Sequence, residues 1–91
     1  MVNFRPPSSA TVHFVTVDHE SGTLLYVQLA AILREAIARG HWPPGRLIPS
    51  ETRLSQEHGI SRLTVRKAVD ILRDEGLVRT VPGRGVMVIG P

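Results

Sequence analysis

The stretch from Ser61 to Gly76, S-R-L-T-V-R-K-A-V-D-I-L-R-D-E-G, constrains the fold of this chain more than any other. Ser61 is suited to start a helix, because a serine hydroxyl at the N-cap accepts a hydrogen bond from a backbone N–H of the first turn. Gly76 is suited to end it, because glycine adopts the left-handed backbone conformation without steric cost. Apolar residues recur between them at helical spacing, at Val65, Ala68, Val69 and Leu72. The stretch therefore predicts an amphipathic helix with one buried face.

The remaining surface of this helix is basic. Arg62, Arg66 and Arg73 fall on one flank of the apolar stripe, Lys67 lies further round, and Leu63 falls nearly opposite the stripe. Single exposed leucines are common, but one that lies between arginines on a first turn indicates a surface that contacts a partner. The same pattern is compatible with a basic helix face that is simply solvated.

A shorter helix is predicted just upstream, from Ser50 to His58, and Gly59 separates it from Ser61. Two short helices joined by a turn of a few residues that contains glycine form a helix-turn-helix. In this arrangement the second helix enters the major groove of DNA with its N-terminal residues against the base edges. The residues that this geometry brings within reach of DNA are Arg62, Leu63, Thr64 and Arg66.

A first helix is predicted from Thr23 to Arg39, with Thr23 as its N-cap and Gly40 just beyond its end. Its apolar residues form a broad stripe of helical period, made of Leu25, Leu29, Ile32, Leu33, Ala36 and Ile37. A proline-containing turn follows. Trp42, the only tryptophan of the chain, is interpreted as an anchor that holds this turn against the first helix.

The pattern after Gly76 predicts a β-hairpin, with strands at residues 77–81 and 86–89 and a turn at residues 82–85. The glycines of that turn supply the positive φ angles that tight turns need. Three helices followed by a hairpin form a winged helix. The predicted fold class is therefore mainly α with a small β-hairpin, a winged helix-turn-helix over residues 23–91 with its recognition helix at 61–75.

The first 22 residues are predicted to lie outside this domain. Residues 1–10 read as a tail, residues 11–17 (T-V-H-F-V-T-V) as a strand, and residues 18–22 as a loop. A lone apolar strand needs a partner. We expect that partner to be either the hairpin or a neighbouring chain.

The composition excludes several classes of protein. Without cysteine the chain has no disulfide, catalytic thiol or thiolate metal site. No apolar run approaches the roughly 20 residues that span a bilayer, and the N-terminus lacks the basic region followed by an apolar one that a signal peptide has, so we expect a cytoplasmic, nucleoid-associated protein. The net charge is only +3. Nucleic-acid binding would therefore have to depend on basic residues clustered on one face.

Other chemistries are poorly supported by the sequence. The histidines at positions 13, 19, 41 and 58 lack the spacing of metal ligands. Residues 18–21 (D-H-E-S) contain the residue types of a catalytic triad, but neighbours in one loop do not converge on a nucleophile. The G-R-G at residues 83–85 is not followed by a helix that begins with Lys-Ser/Thr, as a phosphate-binding loop requires. We expect no metal, no cofactor and no enzymatic activity.

Five runs of the chain carry a resemblance to a known family. They are L-Y-x-Q-L from Leu25, G-x-W-P-P-G-x-x-I-P-S-E from Gly40, G-I-S-R-x-T-V-R-x-A from Gly59, E-G-L-V from Glu75 and G-R-G from Gly83. In this order and spacing they resemble the DNA-binding domain of the GntR family of bacterial transcriptional regulators.

The resemblance implies particular contacts to DNA. In this family S-R-x-T-V-R supplies arginines to bases and phosphates, which carries over to Arg62, Thr64 and Arg66, and the wing tip reaches the minor groove. Family members often carry a basic residue directly after the S-E of the second helix, where this chain has Thr52 and then Arg53. The residues that we predict to contact DNA are Ser50, Arg53, Ser61, Arg62, Leu63, Thr64, Arg66, Lys67, Gly83 and Arg84.

The expected partner is a pseudo-palindromic double-stranded operator, bound by a homodimer that represses transcription. Most family members continue into a domain that binds a small effector and dimerises, so this sequence is expected to be either an excised domain or a naturally short regulator. The effector is left open. The alternatives are a winged helix that binds another protein and a binder of single-stranded DNA, which the placement of the aromatic residues disfavours.

Overall fold

The computed structural model describes residues 16–20 and 23–90, which form three helices followed by a β-hairpin. The helices are α1 (Leu25–Ala38), α2 (Glu51–His58) and α3 (Arg62–Asp74), and the strands are β1 (Val78–Val81) and β2 (Gly85–Val88). This architecture confirms the predicted winged helix-turn-helix.

The start of α1 differs from the prediction. Leu24, and not Thr23, is the N-cap residue, and it provides no side-chain hydrogen bond to the helix. Instead the side-chain amide of Gln28 folds back along the incoming chain, donating to the Thr23 carbonyl at 2.8 Å and bonding both backbone groups of Asp18. The side-chain amide of Gln28, in the first turn of α1, therefore holds the preceding chain against the start of the helix. The other end is as predicted, because Gly40 follows the helix with a φ of +79°.

The cap of α3 was predicted correctly at Ser61, and α2 has the same kind of cap at Ser50, the residue at which that helix was predicted to begin. The hydroxyls of Ser50 and Ser61 each accept a hydrogen bond from the backbone N–H three residues later, in both cases at 3.1 Å. Gly59 ends α2 with a φ of +65°, and Gly76 follows α3 with a φ of +79°. These local signals fix the lengths of both helices and of the turn between them.

The core lies between α1, α3 and the inner side of the hairpin. The predicted stripe of α3 is buried in full, and the buried residues of α1 lie opposite it, whereas Leu25, Ile32 and Ala36 of the predicted α1 stripe are half-buried at its edge. Burial of a large aliphatic side chain is worth about 1.5–3 kcal/mol. The core residues are Val17, Leu29, Ala30, Leu33, Ile37, Ile48, Leu54, Ile60, Val65, Ala68, Val69, Leu72, Val78 and Val88.

The hairpin was predicted to within one residue at each strand end, but a third segment that joins it was not predicted. Val78 pairs with Val88 and Val81 with Gly85, so β2 begins one residue earlier than the sequence indicates. A third segment also lies along β2, where Leu47 bridges to Met87 and backbone hydrogen bonds of 2.8–2.9 Å join residues 45–48 to β2. The chain that leads into α2 therefore closes the wing against the helices.

Most of the predicted N-terminal strand, residues 11–15, lies outside the described residues, as do the tail at residues 1–10 and residues 21–22 of the predicted loop. Thr16 and Val17 are not in a strand, and Val17 is buried in the core. Trp42 is half-buried and packs against the core beside His41, with ring centroids 4.9 Å apart in an edge-to-face arrangement. Its predicted position against α1 is supported by a groove that it lines together with Leu33 and Ala36.

Candidate DNA interface

The first turn of α3 is exposed and held firmly in place. Ser61 Oγ accepts the backbone N–H of Thr64 and also bonds the Thr64 hydroxyl at 2.9 Å. Leu63 is 58% exposed, which confirms that it points away from the core. Arg62 and Arg66 are exposed on the same surface. The turn thus presents two cations and an apolar side chain on a rigid base.

Arg66 is paired with Glu51, the first residue of α2. Arg66 Nε lies 2.8 Å from Glu51 Oε2, and Arg66 Nη2 lies 2.9 Å from Glu51 Oε1. These parallel bonds lower the pKa of the Glu51 carboxyl and raise the pKa of the Arg66 guanidinium. Since the Arg66 side chain remains 60% exposed, the pair orients the guanidinium without burying it.

Two neighbouring arginines have different attachments. Arg62 donates from Nη1 to the Thr52 hydroxyl at 3.3 Å, so its only bond in the described structure is long. Arg73, near the end of α3, donates from Nη1 to Asp70 and from Nη2 to the Thr80 hydroxyl on β1, the latter at 2.8 Å. Arg73 therefore joins the recognition helix to the wing.

The Lys67 side chain points away from these arginines. Its ammonium lies 5.7 Å from the centre of the Tyr26 ring on α1, within the range of a cation–π interaction. It therefore extends from the flank of α3 that is opposite to the one carrying Arg62 and Arg66.

The predicted residues of α2 lie at its beginning. The Ser50 hydroxyl is used as the helix cap, and the exposed Arg53 donates from Nε to Glu57 one turn along at 3.1 Å. An exposed i,i+4 pair of this kind contributes little stability. Arg53 is therefore free to change partners at low cost.

The wing tip is a compact turn. The Val81 carbonyl accepts the N–H of Arg84 at 2.9 Å, and Gly83 has a φ of +76° after Pro82. This order of residues suits a type II turn, which favours proline at its second position and glycine at its third. Arg84 is exposed at the tip.

A cleft of about 370 Å³ separates α3 from the wing. Its walls include Arg66 and Arg73 from α3, Arg84 from the wing, and Glu51 with Ser50 from the start of α2. The structure thus brings five side chains from three parts of the chain to one surface. Sequence reasoning missed Glu51, Thr52, Arg73 and Thr80 as parts of this site.

Residues 16–20 and 23–90 contain no group of three or more acidic or histidine side chains placed to hold a metal ion. In the D-H-E-S run, Asp18 Oδ1 accepts the backbone N–H of Glu20, an ordinary turn contact. Each described helix is too short or too polar to cross a membrane.

Comparison with known proteins identifies the family. Residues 25–88 match the family model for bacterial regulatory proteins of the gntR family. The chain belongs to the GntR family. The family is one of DNA-binding bacterial regulators.

Relatives of this GntR-family chain are longer than the chain itself. It is 43% identical over 72 residues to the uncharacterized HTH-type transcriptional regulator RB1450 of Rhizobium meliloti, and 42% identical over 64 residues to the mannosyl-D-glycerate transport/metabolism system repressor MngR of Escherichia coli. The matches cover 79% and 70% of the chain but only 30% and 27% of those relatives.

Solved structures share the fold. YtrA from Sulfolobus acidocaldarius, a GntR-family transcription factor, superimposes with a TM-score of 0.74 at 38% identity, over 84% of this chain and 80% of that one. The DNA-binding domain of AraR in complex with operator ORE1 superimposes with a TM-score of 0.69 at 34% identity, over 82% of this chain and 94% of that one.

Proposed function

We propose that residues 23–91 form the DNA-binding domain of a repressor, with the recognition helix at residues 61–75 in the major groove and the wing at residues 77–89 at the minor groove. The exposed, basic first turn of α3 carries this proposal, because Arg62, Leu63 and Arg66 stand together on a capped helix start. The solved complex of the AraR DNA-binding domain with an operator supports operator binding by this fold, and the similarity to the repressor MngR supports repression rather than activation.

The remaining predicted residues have supporting roles in this proposal. Ser50 and Ser61 lie at the N-termini of α2 and α3, where backbone N–H groups and the positive end of the helix dipole favour a phosphate. Arg53 and Lys67 extend on either side and contact the DNA backbone, which positions the domain without reading sequence. Thr64 acts through the first turn that its hydroxyl stabilises. Gly83 and Arg84 form the contact of the wing.

We further propose that two copies bind one pseudo-palindromic operator in the cytoplasm, at the nucleoid. One recognition helix reads few base pairs, and helix-turn-helix proteins gain specificity by pairing half-sites through a two-fold axis. The DNA-binding domain is proposed to begin at position 23, although Val17 of the preceding segment packs into its core.

The test begins with selection of bound duplexes from a random DNA pool, followed by fluorescence anisotropy with the selected operator and with random duplex. We expect tight operator binding that weakens steeply with salt, because lysines and arginines release counterions from phosphates. At least one of the variants Arg62→Ala and Arg66→Ala should reduce the ratio of operator affinity to random-DNA affinity.

Arg39→Ala is the matched control, since it removes the same charge from an exposed arginine at the end of α1, where it pairs with Glu35. It should leave the ratio unchanged. Equal losses on operator and random DNA for both α3 variants would show that the helix does not read sequence. Failure of the wild type to bind duplex DNA at all would favour the alternative of a winged helix that binds another protein.

A further inference from the structure

The three arginines on one flank of α3, Arg62, Arg66 and Arg73, use different edges of their guanidinium groups within the protein. Arg73 uses Nη1 and Nη2, with Asp70 and Thr80 as acceptors. Arg62 uses Nη1 alone. Arg66 is held through Nε and Nη2 by a single carboxylate. The three side chains therefore differ in which donors remain for a ligand.

Arg66 retains free N–H donors that could bind the edge of a DNA base. A guanidinium carries five N–H groups, and the Glu51 pair uses one on Nε and one on Nη2. Both Nη1 hydrogens and the second Nη2 hydrogen remain, and no acceptor from residues 16–20 or 23–90 bonds Nη1. Guanine offers two adjacent acceptors, O6 and N7, in the major groove, which the free end of an arginine fork matches.

Arg73 and Arg62 do not offer the same geometry. The end of the Arg73 guanidinium is already occupied by Asp70 and Thr80, so it braces the wing. Arg62 is held by one long bond to a hydroxyl, which leaves its orientation adjustable and suits a phosphate better than a fixed base edge. Arg66 is thus the one arginine of the three whose outward edge is both free and set by a bidentate partner.

We propose that Glu51 is a positioning residue that fixes Arg66 to read one guanine in each operator half-site. This inference rests on the proposed docking of α3 in the major groove. Glu51 lies in the first turn of α2, where the helix dipole stabilises a carboxylate, and its side chain is only 34% exposed. Its pairing with Arg66 also compensates a negative charge that would otherwise repel the DNA phosphates.

The experiment replaces each operator guanine in turn with 7-deazaguanine, which lacks the N7 acceptor and keeps O6. For the wild type we expect one guanine per half-site at which the replacement weakens binding by about 5- to 10-fold. The loss is only part of the discrimination that a bidentate pair provides, because O6 remains as an acceptor. Arg66→Ala should bind both versions of that operator equally, which assigns the guanine to Arg66.

Glu51→Gln should then lose most of the sensitivity to 7-deazaguanine at that position while it still binds DNA. Glu57→Gln is the matched control, because it removes the same charge from the same helix and releases Arg53 instead; it should keep the full sensitivity. Glu51→Asp retains the charge but withdraws the carboxylate by one methylene, so it should also lose sensitivity if orientation, rather than charge, is what Glu51 provides. Thermal unfolding of each variant checks that the fold is kept.

Three results would overturn the inference. Tighter binding by Glu51→Gln with unchanged sensitivity would show that Glu51 competes with DNA for Arg66. Full sensitivity in Glu51→Asp together with its loss in Glu51→Gln would show that charge alone matters. Operator-specific binding without any guanine that depends on Arg66 would place Arg66 on phosphate, and the proposed function would stand. Only a wild type that fails to distinguish operator from random DNA would remove the proposed function itself.

Discussion

The backbone N–H of Val17 donates a hydrogen bond to Nδ1 of His58 over a distance of 3.2 Å. Because a backbone N–H can only donate, Nδ1 must be the unprotonated nitrogen of a neutral imidazole. His19 lies beside this contact, with its Nε2 3.0 Å from the His58 carbonyl. The segment before α1 is therefore attached to the end of α2 by two histidines, one buried and one exposed.

This contact makes the stability of the fold dependent on pH. Burial lowers the pKa of His58, and the nearby charge of Glu57 opposes this only in part. As the pH falls through about 6.5, the unfolded chain takes up the proton before the folded protein does. The contribution of neutral His58 is thus fully present above that pH and is lost progressively below it.

Urea unfolding between pH 7.5 and pH 5 tests this expectation. His58→Gln should flatten the fall in unfolding free energy at low pH, since its amide oxygen can still accept from Val17 but does not titrate. His41→Gln, at an exposed position, should retain the wild-type slope. A slope that persists in His58→Gln would assign the pH dependence to other groups.

Trp42→Ala is expected to destabilise the domain. Truncation of a fully buried tryptophan typically costs about 3–5 kcal/mol, and because Trp42 is only half-buried we expect about 2–3 kcal/mol. Thermal or urea unfolding measures the loss. Leu24→Ala removes an apolar side chain that is 60% exposed and should change the free energy of unfolding by less than about 0.5 kcal/mol. Equal effects of the two variants would show that Trp42 does not anchor its turn.

The helices were predictable from the sequence because their signals are local. The caps at Ser50 and Ser61 and the glycines at positions 59 and 76 each depend on residues within one turn. The bridge between Leu47 and Met87 was missed, since pairing between residues far apart in the chain leaves no pattern in either segment. Thr23 was wrongly chosen as a cap, because α1 begins one residue later and Leu24 occupies its N-cap position without a side-chain hydrogen bond.

The exposed face of α3 was also predictable, since helical periodicity determines which residues leave the core. The partners of those residues were not. The pair of Arg66 with Glu51 and the bond from Arg73 to Thr80 join separate elements, and their existence depends on how closely those elements pack. For the same reason the contact of Lys67 with the Tyr26 ring could be seen only in the folded protein.

Arg84→Ala separates the wing from the recognition helix. Arg84 lies on an exposed glycine-flanked turn, and the minor groove there distinguishes little beyond A·T from G·C. We expect this variant to weaken operator and random DNA to similar extents and to reduce the salt slope by about one unit, as loss of one phosphate contact does. Arg79→Ala, on the exposed side of β1, is the control. A selective loss of operator binding would mean that Arg84 reads sequence.

The proposed homodimer predicts the stoichiometry of the complex. At saturation, sedimentation or native mass spectrometry should find two chains on each selected operator and two matching half-sites about one helical turn apart. Halving the operator to a single half-site should give one chain per duplex and much weaker binding. A full operator that holds a single chain at saturation would contradict the proposal.

Leu63 should contribute to sequence recognition and not to stability. An apolar side chain that is 58% exposed contributes little to folding, and its place between Arg62 and Arg66 allows it to contact the methyl group of a thymine in the major groove. We therefore expect Leu63→Ala to leave the unfolding free energy within about 0.5 kcal/mol of wild type while it weakens binding to the operator. Replacing the contacted thymine with uracil, which lacks only that methyl group, should weaken the wild type but not Leu63→Ala. If uracil at every operator thymine weakens both proteins equally, Leu63 does not contact a thymine methyl and its exposure has another cause.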